Sequence, residues 1–209
     1  MPALPAIRRA AVSPAMEREP ADAVRDGLVA AARGYFLRFG YSRVSTSEIA
    51  EQAGRSKKTL YQHFPSKEQL LAAVVDDIRA RCQDEVLSLL GAPGPAADRI
   101  RSVLERLGAH QAALSATLLP DLARSEPQLA QRMRQEQRAA LDDLTGRILD
   151  HGIQAGVFRA DIDRPAAVAT YLASAEALGQ ASALAEHAAD PAALFRQLVG
   201  WMMAGLAAR

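Results

Sequence analysis

The chain is poor in residues that do covalent chemistry. Its single cysteine, Cys82, excludes an intrachain disulfide framework and leaves no cysteine-built zinc site. On a helix expected to be buried, Cys82 reads as packing rather than as a sensor. The four histidines, His63, His110, His151 and His187, are scattered, and none forms an i, i+4 metal pair beside a carboxylate. There is no glycine-rich phosphate loop and no serine-centred nucleophile elbow. Asp142-Asp143 and Asp150-His151 read as solvated helix faces. No catalytic residue, metal or cofactor is therefore assigned. Apolar runs are short as well. None approaches the roughly 18 residues of a membrane span, and the first residues lack the apolar core of a signal peptide. A cytoplasmic protein with no membrane partner is the expectation.

Strand signals are missing too. No β-branched alternating run stands out, and aromatics make up only 5% of 209 residues. Hydrophobic residues reach 49%, and alanine, the best helix former, is abundant. The chain reads as all-α. Net charge is +1, but residues 1–70 hold eleven Lys/Arg against seven Asp/Glu, so a basic amino-terminal part precedes an acidic body. Residues 1–21, with Pro2, Pro5, Pro14 and Pro20, read as a disordered tail carrying Arg8, Arg9 and Arg18. Asp22–Phe39 is the first predicted helix, with Val24, Leu28, Ala31, Ala32, Tyr35 and Phe39 as its buried stripe and Gly40 as its stop.

The most informative stretch is Ser45–Lys67. Ser45 and Glu48 have capping-box spacing, so a helix starts there, and Ile49, Ala50 and Ala53 form its apolar face. Gly54 supplies a turn, and Ser56 caps a second helix from Lys57 to about His63. Pro65 stops that helix, and Ser66 with Gln69 opens a long one. A rotation of about 100° per residue puts Leu60 and Phe64 on one face of the second helix and Lys58, Thr59 and Gln62 opposite, with Lys57 in the first turn and Tyr61 at the flank. Two apolar anchors beneath polar, hydrogen-bonding side chains are the construction of a recognition helix.

These residues resemble the DNA-binding segment of the tetracycline-repressor (TetR) family of one-component regulators. The resemblance rests on Ile49-Ala50, Ala53-Gly54, Ser56-Lys57, Thr59-Leu60-Tyr61, His63-Phe64 and Ser66-Lys67-Glu68, and with Gly40-Tyr41 covers about the first third of the chain. Arg55 departs from it. The family usually has a small apolar residue in that turn, so either Arg55 bends outward or the turn packs differently. The resemblance assigns phosphate contacts to Thr46, Ser56, Tyr61 and Lys67. Lys67 lies in the first turn of its helix, where backbone amides would join it. Ser47, Lys57, Lys58, Thr59 and Gln62 are the candidates for base reading, since lysine matches guanine O6 and N7 and glutamine matches adenine N6 and N7. Arg43, Arg55 and His63 complete the DNA-facing set.

Residues 22–68 are thus expected to be a three-helix helix-turn-helix domain, and 69–209 a helical body for effector binding and dimerisation. Ser66 to about Leu90 is predicted as one helix of roughly 37 Å, and Gly91–Pro95 as a break. Two shorter helices are expected over Ala96–Gly108 and Ala109–Leu119, the second ended by Pro120. A long helix then runs from Ser125-Glu126-Pro127 to about Ala155, and two more run from Asp163-Pro165 to about His187 and from Asp190-Pro191 to about Leu206. The resemblance implies that the last pair forms a four-helix homodimer interface. It also implies a small-molecule cavity in each subunit, for an unknown effector that a Leu, Ala and Met lining suggests is hydrophobic, with Arg81, His110, Gln111 and Tyr171 as polar candidates. The expected partners are a double-stranded, palindromic DNA operator and that effector, and the expected role is repression. Two other readings stay open: an all-α adaptor that keeps the helix-turn-helix as scaffold, and an all-α enzyme, which would need a converged polar cluster.

Overall fold

The structure is a computed structural model that describes residues 20–179 and 191–208. Among these residues the chain folds into α1 Pro20–Phe39, α2 Thr46–Gln52, α3 Lys57–His63, α4 Lys67–Leu90 and α5 Ala96–Ala116. It continues through α6 Leu118–Ser125, α7 Pro127–Gln154, α8 Arg164–Gly179 and α9 Pro191–Leu206. The fold is all-α. A lone antiparallel bridge, Phe158 to Ala207, fastens the end of α9 to the loop after α7. No described helix is long and apolar enough to cross a membrane. The proline-containing tail up to residue 19 and the extension of the eighth helix toward His187 lie outside the described residues.

Two apolar cores are stacked along the molecule. The first joins Leu28, Phe36, Ile49, Leu60, Leu70 and Val74 to Leu118 and Leu122 of α6. The second gathers Val86 of α4, Ile100 and Leu107 of α5, Ile148 of α7, Tyr171 of α8 and Val199 of α9. α4, 24 residues long, runs through both. Leu70, Val74 and all of α6 therefore pack with the amino-terminal helices, although they lie beyond residue 68 in sequence.

Three sequence expectations need correction. In α1 the buried stripe is Leu28, Val29, Ala32 and Phe36, while Phe39 is 45% exposed. Phe36 wins the inner position because its ring packs on Tyr41, 5.5 Å away, beneath the turn that Gly40 makes at φ +85°. α5 does not break at Gly108. It runs on to Ala116, and Gly108 is a packing residue: a Cβ there would lie 1.9 Å from the Phe195 ring of α9. Pro120 does not end a helix. It sits in the first turn of α6, where a missing N–H costs nothing.

Gly108 makes the competition between propensity and packing measurable. Alanine gains about 1 kcal/mol of helix propensity, but overpacking a core costs about 1–3 kcal/mol. Gly108→Ala is expected to destabilise by up to about 2 kcal/mol net. Gly34→Ala, on an α1 face with nothing within 4 Å, is expected to stabilise. Urea unfolding of both variants checks the opposite signs.

Candidate nucleic-acid interface

α2 opens on a reciprocal cap. The Glu48 N–H donates to Ser45 Oγ at 3.2 Å, and the Ser45 N–H donates to Glu48 Oε2 at 2.7 Å. Hydrogen bonding to the carboxyl from the Ser45 side chain and backbone holds Glu48 below its ordinary range. Gly54 turns the chain at φ +66°, and the Arg55 N–H reaches back to the Ala50 carbonyl at 2.8 Å. A Cβ at 54 would meet nothing within 4 Å, so backbone conformation, not space, asks for glycine. The turn closes normally around Arg55, whose side chain is exposed. Ser56 then caps α3: its Oγ accepts the Thr59 N–H at 3.0 Å and lies 2.9 Å from Thr59 Oγ1.

On α3, Leu60 and Phe64 are 0% and 3% exposed. The Arg25 guanidinium covers the Phe64 ring at 5.2 Å. Lys57, Lys58, Tyr61 and Gln62 face outward, and Thr59 and His63 are half-buried. Ser47 on α2, Ser56 in the turn and Arg43 in the preceding loop are also exposed. Two members of the predicted set are placed differently. Thr46 is buried, and its Oγ1 lies 3.2 Å from the Tyr61 hydroxyl, tying the start of α2 to α3. Lys67 is turned inward: its Nζ donates to the Tyr41 carbonyl at 2.5 Å and sits 4.2 Å from the centre of the Tyr41 ring. Burial lowers the Lys67 pKa, although Asp121, Glu48 and Glu126 pull it the other way.

The same loop is held from its other side. Asp121 of α6 accepts the Ser42 N–H at 2.6 Å and the Ser42 hydroxyl at 2.7 Å. Burial pushes the Asp121 carboxyl up, but the bonds from Ser42 and from the Tyr41 backbone, with Arg124 nearby, outweigh it and leave the pKa lowered. Asp121 and Ser42 are functional candidates that sequence reasoning missed. They are 79 positions apart, and no local pattern links them.

A cavity of about 230 Å³ lies where the two cores meet, lined by Val75, Ile78 and Cys82 of α4, His110 and Gln111 of α5, and Leu141 of α7. His110 Nε2 is 3.0 Å from Glu85, and Gln137 of α7 donates to Gln111 at 2.7 Å across the gap. Arg81 and Tyr171 do not line it. On α4 the stripe facing the gap is 75, 78, 79, 82 and 83, so Arg79 borders the cavity, and Arg81, two residues on, is rotated away by about 200°. Its guanidinium instead pairs with Asp77 at 3.0 Å. The Tyr171 hydroxyl donates to the Leu104 carbonyl at 2.5 Å inside the second core. Burial pushes the Cys82 thiol up to about 11, which suits packing and not reactivity.

The family described as bacterial regulatory proteins of the tetR family matches residues 28–74, the span that holds α2, α3 and the anchors beneath them. Over residues 28–74 this chain is similar to the tetR-family regulators. That span holds the helix-turn-helix formed by α2 and α3. The nucleoid occlusion factor SlmA of Vibrio vulnificus is 34% identical over 68 residues, 32% of this chain and 35% of that protein. The DNA-binding transcriptional repressor TetR of Mycobacteroides abscessus is 35% identical over 98 residues, 47% of this chain and 50% of that one. The chain thus spans a third to a half of the length of these curated relatives. The fatty acid degradation regulator FadR of Bacillus halodurans superposes with a TM-score of 0.67 at 20% identity, covering 89% of this chain and 97% of the other, so the fold is shared over nearly the whole chain.

The inward turn of Lys67 generates a prediction. Lys67→Met removes a charge-assisted bond and a cation–π contact, and is expected to lower unfolding free energy by about 1–3 kcal/mol with helicity retained. Chemical denaturation followed by circular dichroism checks it.

Proposed function

We propose that the protein is a ligand-responsive repressor that binds a short palindromic operator as a homodimer. The observation that carries the reading is the two-sidedness of α3. Leu60 and Phe64 are fully anchored while Lys57, Lys58, Tyr61 and Gln62 project from the other side. Ser47, Lys57, Lys58, Thr59 and Gln62 read base edges. Ser56, Tyr61, Arg43, Arg55 and His63 flank them toward phosphates, which position a protein without specifying sequence. Thr46 and Lys67 support this face from within.

Dimerisation is supported by the outer face of the last two described helices. Tyr171, Leu172 and Ala175 of α8 fill the subunit's own core, as do Phe195 and Val199 of α9. Ala169, Ala173 and Ala177 remain exposed on α8, and Trp201 of α9 is 65% exposed. An exposed large aromatic and exposed small residues on these two helices suit an interface in which helices approach closely. A two-fold pair then presents two recognition helices to half-sites about one turn of DNA apart. The effector is a small, largely apolar molecule in the cavity between α4, α5 and α7, and it acts by preferring one arrangement of the dimer over another.

A second reading is favoured by one observation, the match to a nucleoid occlusion factor: a DNA-bound adaptor whose output is not transcription. Footprinting on the DNA beside the encoding gene, followed by a promoter fusion in a deletion strain, separates the two. The repressor reading expects a palindromic footprint and raised expression on deletion; a footprint with unchanged expression favours the adaptor. On the footprinted duplex, Lys58→Ala and Gln62→Ala should each cost about 1–3 kcal/mol and relax preference at particular base pairs. Trp201→Glu should give monomers by light scattering and lose the preference for paired half-sites.

A further inference from the structure

Ser42 and Tyr41 share a peptide bond, and its two polar ends are held by opposite charges from different helices. The carbonyl oxygen, from Tyr41, accepts the Lys67 ammonium of α4 at 2.5 Å. The N–H, from Ser42, donates to the Asp121 carboxylate of α6 at 2.6 Å. In a trans peptide these two groups point in opposite directions, so cation and anion sit on either side of one peptide dipole in its favourable sense. The cradle is tight. Asp121 is 7% exposed, and a Cβ on Gly40 would lie 2.8 Å from its carboxyl carbon. Three residues past Ser42, Ser45 caps α2, which carries Ser47 and is tied to α3 through Thr46 and Tyr61.

We infer that Asp121 is a positioning residue for DNA reading: with Lys67 it clamps the Tyr41–Ser42 peptide and so sets the orientation of α2 and α3 on the body. The inference rests on the proposed DNA-reading role of α2 and α3. Leu118 and Leu122 of α6 are buried in the same core as Leu60, but apolar contact is not directional. The charged clamp supplies the direction. Asp121 is buried and its carboxylate is bonded to Ser42, so its removal should leave the number of phosphates contacted unchanged.

The test uses the full chain and the duplex recovered by footprinting, with wild type, Asp121→Asn and Asp121→Ala. Asparagine keeps the shape and one acceptor but removes the charge; alanine removes the clamp. The expected result is a graded loss of affinity, about threefold for Asp121→Asn and about tenfold for Asp121→Ala, with the slope of log affinity against log salt unchanged. Hydrogen exchange at the Ser42 amide, measured without DNA, should quicken in the same order. Should Asp121→Ala fail to fold, Asp121→Asn carries the test alone. Wild-type affinity with wild-type exchange in the asparagine variant overturns the clamp. A loss of affinity with a flattened salt slope also overturns it, because it would place Asp121 in the phosphate balance. If wild type binds no duplex, the DNA-reading proposal fails, while the exchange measurement still reports whether Asp121 holds this peptide.

Discussion

A seven-residue helix such as α3 has no stability of its own; isolated helices shorter than about 12–15 residues are marginal in water. The burial of Leu60 and Phe64 is therefore the constraint on which the site depends. Fully burying two such side chains contributes roughly 3–6 kcal/mol, more than the caps at Ser45 and Ser56 provide at about 1 kcal/mol each. Because both anchors lie on one face, the same contacts that keep the helix folded also fix its rotation. Lys57, Lys58 and Gln62 are exposed as a geometric consequence.

The rest of the molecule extends that constraint. α1 and the first half of α4 wall in Leu60, and α6 closes the same core from the body side. The second core is built on the far half of α4, with Gly108 admitting Phe195 and Gly152 admitting Phe158, whose ring a Cβ would approach to 2.2 Å. The cavity falls between the cores because neither cluster reaches across the α4, α5 and α7 stretch around Cys82, His110 and Leu141. What does cross it is polar, namely the amide pair of Gln111 and Gln137.

How much of this was legible in the sequence follows from the range of each interaction. The caps at Ser45, Ser56 and Ser66, the turn at Gly54 and the outward face of α3 obey rules that span three or four residues, and each is where local chemistry puts it. Errors arose where one residue type has two meanings. Gly108 looks like a helix end and is a notch for a ring; Pro120 looks like a stop and is a first-turn residue. Phase errors came next. Over a helix as long as α1 the stripe chosen from hydrophobicity drifted to Phe39, and on α4 the choice of Arg81 over Arg79 moved a side chain to the wrong side of the helix. The inward turn of Thr46 and Lys67 was not legible, because it depends on where the Tyr41–Ser42 loop sits. That position is set by Asp121, far along the chain.

This division between local and distant causes bears on how the two ends of the molecule communicate. Apolar burial holds the reading unit against the body but lets it slide, since hydrophobic contact has no preferred direction. Hydrogen bonds to Tyr41 and Ser42 do have one, and their donor and acceptor belong to different helices. Lys67 opens α4, and Cys82, fifteen residues on, lines the cavity at a distance of about 22 Å along a continuous helix. Asp121 stands on α6, one turn of chain beyond the end of α5, which lines the cavity through His110 and Gln111. Both the cavity and the peptide clamped between Lys67 and Asp121 therefore lie between α4 and the α5–α6 segment. A change of the spacing between these elements at one place must be accommodated at the other or break a charge-assisted bond.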